Sequence, residues 1–187
     1  MGQFIAQLKY LKKSLPKPVA SVLHYCIGRK TACRSLTNMR FIDEKGRALR
    51  IGWGKRPLGE GDFERLCRRF RVNVTEMPLN SGGFYYRVKG RDHIAIDSRL
   101  TGTAKLKVQF HELAHFLFHA PESGATANFL SVGQKTRVEY EADAFALCAI
   151  VPQTWLEGRS ADEILQTEDI SSEMLTERLG IFITYGI

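Results

Sequence analysis

Along residues 106–119 the apolar side chains Leu106, Phe110, Leu113, Ala114 and Leu117 fall at the i, i+3, i+4, i+7 spacing that buries one stripe of a helix. Upstream, Phe63, Leu66, Cys67 and Phe70 mark the inner side of another helix, with Asp62 as its N-cap and Arg65, Arg68, Arg69 and Arg71 outside. Residues 72–77 alternate as a strand, and residues 83–88 and 93–97 predict the arms of a hairpin across Lys89-Gly90-Arg91-Asp92. A further helix is predicted from Val138 towards Pro152. Beyond it Ser160 and Glu163 have capping-box spacing, and residues 170–179 predict a last helix closed by Gly180. Nearer the start, Phe4, Ile5, Leu8 and Leu11 predict a short amphipathic helix ended by Pro16 and Pro18, and residues 19–27 a second one. Residues 40–53 read as a hairpin, Phe41-Ile42 and Leu49-Arg50-Ile51 flanking the turn Asp43-Glu44-Lys45-Gly46.

Charge divides this pattern in two. Residues 1–55 hold twelve Lys and Arg against two acids, a net +10, whereas the remainder holds fifteen basic against eighteen acidic residues, a net −3. The chain therefore reads as a basic N-terminal extension, residues 1–55, ahead of one body, residues 56–187, long enough for a single good core. A basic surface of this kind suits phosphate, so residues 1–55 are a possible DNA contact, although no helix-turn-helix or zinc-finger spacing is visible in them. The apolar run at residues 19–27 is too short to span a bilayer, so no membrane is expected. The four cysteines show no C-x-x-C pair, and without a secretory leader they read as reduced thiols in a cytoplasm.

The chemistry sits in the helix at residues 106–119, which carries His111-Glu112-Leu113-Ala114-His115. Histidines one turn apart point their imidazoles the same way and can share one Zn2+ at about 2.0–2.1 Å each. Glu112 flanks them, close enough to act as a general base without being a ligand. On the next helix Glu139 and Asp143 share a face at i, i+4, with Glu141 turned to nearly the opposite side. One carboxylate of that pair can complete the metal site and the other can accept the free N–H of a ligating imidazole. The expected set is thus His111, His115 and Glu139 as ligands, Asp143 as the group that orients a ligand, and Glu112 as the catalytic residue. His119 lies a further turn along, too far to close a compact tetrahedral site. The H-E-x-x-H-x-x-G-x-x-H pattern is excluded, because Phe118 and Pro121 stand at its last two fixed positions.

Together, His111-Glu112-Leu113-Ala114-His115 with His119, and Glu139-Tyr140-Glu141-Ala142-Asp143-Ala144-Phe145-Ala146 leading to Pro152, resemble the paired motifs of the ImmA/IrrE family of zinc metallopeptidases. Ala114 stands where that family often has Gly, and Cys148-Ala149-Ile150-Val151 replaces its common Leu-Leu-Met. Both departures are small and apolar. The resemblance implies an α+β fold, with a small antiparallel sheet packed on the zinc-binding helices, which agrees with the predicted order of elements. It also implies cleavage of a helix-turn-helix transcriptional repressor in bacteria, relieving repression of a mobile element or a stress response. The other reading is a non-proteolytic regulator that keeps the fold and binds a repressor or nucleic acid. A second donor for the tetrahedral intermediate is not identified among Tyr140, Tyr85, Tyr86 and His119.

Overall fold

The computed structural model describes residues 39–120 and 136–187; the predicted helices at Phe4 to Leu11 and at residues 19–27 lie outside them, as does Pro121. Seven helices and three strands follow in the order α1 (Arg40–Ala48), α2 (Glu60–Phe70), β1 (Asn73–Met77), β2 (Gly83–Val88), β3 (Arg91–Asp97), α3 (Gly102–His119), α4 (Arg137–Ile150), α5 (Gln153–Gly158), α6 (Ala161–Thr167) and α7 (Ser172–Tyr185). The α+β class holds. No helix of the described residues is long and apolar enough to cross a membrane.

Residues 40–53 are not the hairpin that their sequence predicts. They begin with α1, in which Ile42 and Gly46 are buried one helical turn apart, and Met39, Leu49 and Trp53 continue the same inward stripe. The segment Asp43-Glu44-Lys45-Gly46 is helical because Gly46 is needed for packing rather than for a turn. A Cβ at Gly46 would sit inside the Trp53 indole. Asp43 then ties the element together, accepting from Arg47 Nε at 2.7 Å and from Trp53 Nε1 at 3.1 Å. These residues belong to the same core as the rest of the described chain.

The sheet is mixed, not antiparallel. Its order is β1-β3-β2, with β1 parallel to β3 from Asn73↔His93 to Met77↔Asp97 and β2 antiparallel to β3 from Gly83↔Ile96 to Val88↔Arg91. The predicted hairpin is present with a tighter turn, Lys89-Gly90, both residues at positive φ. The most apolar strand takes the middle: Ile94, Ala95 and Ile96 are fully buried, whereas every residue of β1 is exposed. Two-sided burial therefore decides which strand is central, and β1, arriving from α2, fills the remaining edge.

Two helix boundaries also differ from expectation. The N-cap of α2 is Gly59, and Asp62 sits a turn inside it, where its carboxylate accepts the Gly59 N–H at 3.1 Å and two bonds from Arg56 at 2.7 and 2.8 Å. Helix α7 runs through Gly180 to a left-handed cap at Gly186. Gly180 costs helix stability of about 1 kcal/mol, but Ile181, Phe182 and Tyr185 beyond it pack against the core, and that burial outweighs the cost. Ser160 caps α6 as expected, accepting from the Glu163 N–H at 3.2 Å.

Helices α3 and α4 form the central seam. Phe110, Leu113 and Ala114 of α3 and Ala142, Phe145, Ala146 and Ala149 of α4 are buried in one core, and small side chains of this kind let helices approach closely. Phe145 stacks on Trp53 with centroids 4.8 Å apart and meets Phe118 edge-on at 5.3 Å. Cys67 and Cys148 are buried free thiols; burial pushes the Cys67 thiol up to about 12.

Candidate metal centre

Helix α3 starts at Gly102, whose φ of +56° turns the chain, and its first turn is held by Asp169, which accepts from the Thr103 N–H at 3.3 Å and its hydroxyl at 2.9 Å. Helix α4 starts at Thr136, whose hydroxyl accepts from the Glu139 N–H at 3.3 Å. That cap places Glu139 in the first turn of α4, facing the middle of α3. The side of α3 that carries His111 and His115 faces α4, Glu112 faces β2, and His115 and Glu112 are each only 6% exposed.

Three predicted groups converge there. His111 Nε2 lies 3.0 Å from His115 Nε2 and 3.3 Å from Glu139 Oε2, and His115 Nε2 lies 3.5 Å from Glu139 Oε1. These three residues form a group that could hold a metal ion. The spacing can be tested against zinc: four ligands at 2.0–2.1 Å in a tetrahedron are about 3.3 Å from one another, close to all three separations. The donor chemistry agrees. Asp143 Oδ1 lies 2.9 Å from His111 Nδ1, so that nitrogen carries a proton and Nε2 turns a lone pair towards the Glu139 carboxylate. Two acceptors that face each other at that distance are reconciled by a metal ion or a proton between them.

Burial sets the charge states. It works against protonation of His111, but Asp143, Glu112 and Glu139 outweigh it and hold the pKa above the ordinary value. For His115, burial acts together with the neighbouring His111 and His119 and pushes the pKa down to about 3, so this ring is neutral and keeps a lone pair for a metal. Glu112 is pushed up to about 7 by burial, against the pull of His111 and of the Tyr85 N–H that its carboxylate accepts. Strand β2 comes this close because residue 83 is glycine: a Cβ there would stand 2.8 Å from Val108 Cγ1 and 3.3 Å from Glu112 Cγ.

Glu141 differs from the expectation drawn from its position on α4. It is 6% exposed and bonded, with its Oε2 3.0 Å from His119 Nε2 and its Oε1 accepting from Arg137 Nε at 2.7 Å. Helix α3 continues a full turn past His115, so a side chain leaving the flank of α4 still meets an imidazole. The further histidine at His119 and the i, i+4 pair Arg137 and Glu141 were the only sequence signals of this contact. The four side chains considered as a second donor lie in different surroundings. The Tyr85 hydroxyl donates to Asp92 at 2.7 Å, Tyr86 stacks on His93 at 4.9 Å, and His119 faces His115 and Glu141. Tyr140, next to Glu139, is 48% exposed.

No match to the chain was found among curated proteins or among solved structures. The IrrE N-terminal-like domain family matches residues 67–181, a span that starts in α2 and includes the whole sheet, both helices of the histidine and carboxylate cluster, and most of α7. With more than half of its length inside that match, the chain belongs to the IrrE N-terminal-like peptidase family.

Proposed function

We propose that this chain is a zinc-dependent metallopeptidase and that its substrate is a helix-turn-helix transcriptional repressor. The observation that carries the first part is the convergence of His111, His115 and Glu139 at 3.0–3.5 Å beside a buried Glu112. Zinc, when bound by those three residues, supplies the Lewis acidity that polarises a peptide carbonyl and makes water nucleophilic near neutral pH. Asp143 holds the proton of His111 on Nδ1 and so keeps Nε2 aimed inward. Glu112 accepts the proton of the attacking water at its carboxylate and returns it to the leaving amide nitrogen. A carboxylate brought to about 7 by burial suits both halves of that transfer, since it takes and releases a proton at similar cost. The Tyr85 N–H fixes the carboxylate in place between the two steps.

The substrate class rests on family membership, and the uneven charge is consistent with it. Residues 1–55 carry a net +10, and of the described ones Arg40, Lys45, Arg47 and Arg50 are exposed, a surface suited to a repressor still on its operator. A regulator that only binds would have no chemical need for Glu112. The test is incubation of the zinc-loaded protein with the helix-turn-helix repressor encoded beside it. Wild type is expected to cut the repressor, whereas Glu112→Gln retains zinc but loses on the order of 10²-fold to 10⁴-fold in rate. A folded Glu112→Gln protein with undiminished derepression would instead establish the binding-only regulator.

A further inference from the structure

The two histidines of the cluster are supported differently. His111 Nδ1 meets a carboxylate directly, that of Asp143 at 2.9 Å. His115 Nδ1 meets no carboxylate; it faces His119 Nδ1 at 3.3 Å, and His119 Nε2 in turn faces Glu141 Oε2 at 3.0 Å. Arg137 Nε closes the line by donating to Glu141 Oε1 at 2.7 Å. His119, Glu141 and Arg137 do not belong to the group that could itself hold the metal. Yet Glu141 is buried to the same degree as His115, at 6% exposure each.

We propose that His119, Glu141 and Arg137 are positioning residues that carry a carboxylate's orienting effect to His115 through a second imidazole. The inference rests on the metal-centre reading and assigns what holds one of its ligands. With the Nε2 lone pair of His115 turned to a metal, the protons of the array have one consistent arrangement. For His115 to offer a lone pair at Nε2, its proton must be on Nδ1, where it donates to His119 Nδ1. His119 then has its own proton on Nε2 and donates to Glu141. The other carboxylate oxygen of Glu141 accepts from Arg137 Nε, so both oxygens of the group are placed as acceptors. The array therefore runs in one direction, from metal ligand to carboxylate, and each buried ring nitrogen has a partner. If Glu141 becomes an amide, it either donates to His119 Nε2, reversing that ring and setting two N–H groups against each other at His115, or presents its NH2 to Arg137. The first choice sets donor against donor at the buried His115, and the second sets the amide NH2 against the guanidinium of the exposed Arg137.

The experiment uses the full chain with zinc as the ligand, and dissociation constants from chelator competition. Loss of a partner that orients a ligating histidine weakens metal binding about 10-fold to 100-fold. His119→Phe and Glu141→Gln are each expected to lose affinity in that range. Because the two residues act in series, the double variant should bind no more weakly than His119→Phe alone. The cobalt-loaded variants should also show a shifted visible spectrum, which a purely structural role would leave unchanged. Wild-type affinity in both single variants, with or without a lower melting temperature, overturns the relay, as do losses that multiply in the double variant. A wild-type protein that binds no zinc overturns the metal centre itself, a different result. Should the variants fail to fold, nitrogen NMR of the zinc-loaded wild type decides the matter. His119 protonated on Nε2 is expected, and protonation on Nδ1 overturns the proposal.

Discussion

At the scale of single residues, Glu139 and Glu141 show how much depends on where a carboxylate is aimed. They are two positions apart and equally charged, and both are turned towards α3. Glu139 lies within 3.5 Å of both ring nitrogens of the cluster, so Glu139→Ala should reduce zinc well below one ion per chain when measured on desalted protein. Glu141 meets His119 and Arg137 instead, and its substitution should weaken zinc by the smaller factor given above. The pairing of His111 with His115, and of Glu139 with Asp143, was legible in the sequence because one helical turn is a fixed local distance. The role of Glu141 was not, since angular position on α4 says which flank a side chain leaves from but not what has been packed against that flank.

At the scale of elements, α1 depends on a contact that opposes local propensity, and α2 on one that reinforces it. Replacing glycine with alanine inside a helix normally gains about 1 kcal/mol, so Gly46→Ala would stabilise α1 if propensity governed. The added methyl would instead overlap the rigid Trp53 indole, which stacks on Phe145, and overpacking costs typically 1–3 kcal/mol. A net loss of up to about 2 kcal/mol is expected in urea unfolding, and a gain would show that Trp53 moves freely. In α2, Asp62 is held below its ordinary pKa chiefly by Arg56, against burial and with help from the Gly59 N–H. A carboxylate with a depressed folded pKa stabilises above its unfolded value, near 4, and the contribution is lost as pH falls through the folded value. Asp62→Asn should therefore cost about 1–2 kcal/mol at pH 7. That difference should shrink below about pH 4, as read from unfolding curves of both proteins across pH.

At the scale of the whole molecule, zinc would bridge two helices that otherwise meet through an apolar seam, with Phe110, Leu113 and Ala114 on one side and Ala142, Phe145 and Ala146 on the other. A ligand that binds only the folded state stabilises by about 2.7 kcal/mol at a free concentration 100-fold above its dissociation constant. The melting temperature should thus rise with added zinc and fall with chelator, and the response should be nearly flat in Glu139→Ala. The sequence by itself determined what repeats at the period of a helix: the inner stripe of α3, the shared direction of His111 and His115, and the facing of Glu139 and Asp143 on α4. Such features are set by 3.6 residues per turn and need no knowledge of the rest of the chain. Tertiary structure alone decided that Gly46 lies inside a helix beneath Trp53, that β1 runs parallel to β3, and that His119 and Glu141 stand behind His115. Each of these follows from which buried surfaces meet across long stretches of chain. A turn-like tetrapeptide becomes helix when an indole needs the space. A strand takes the edge left by the one buried on both sides, and a carboxylate gains a role from the imidazole brought opposite it.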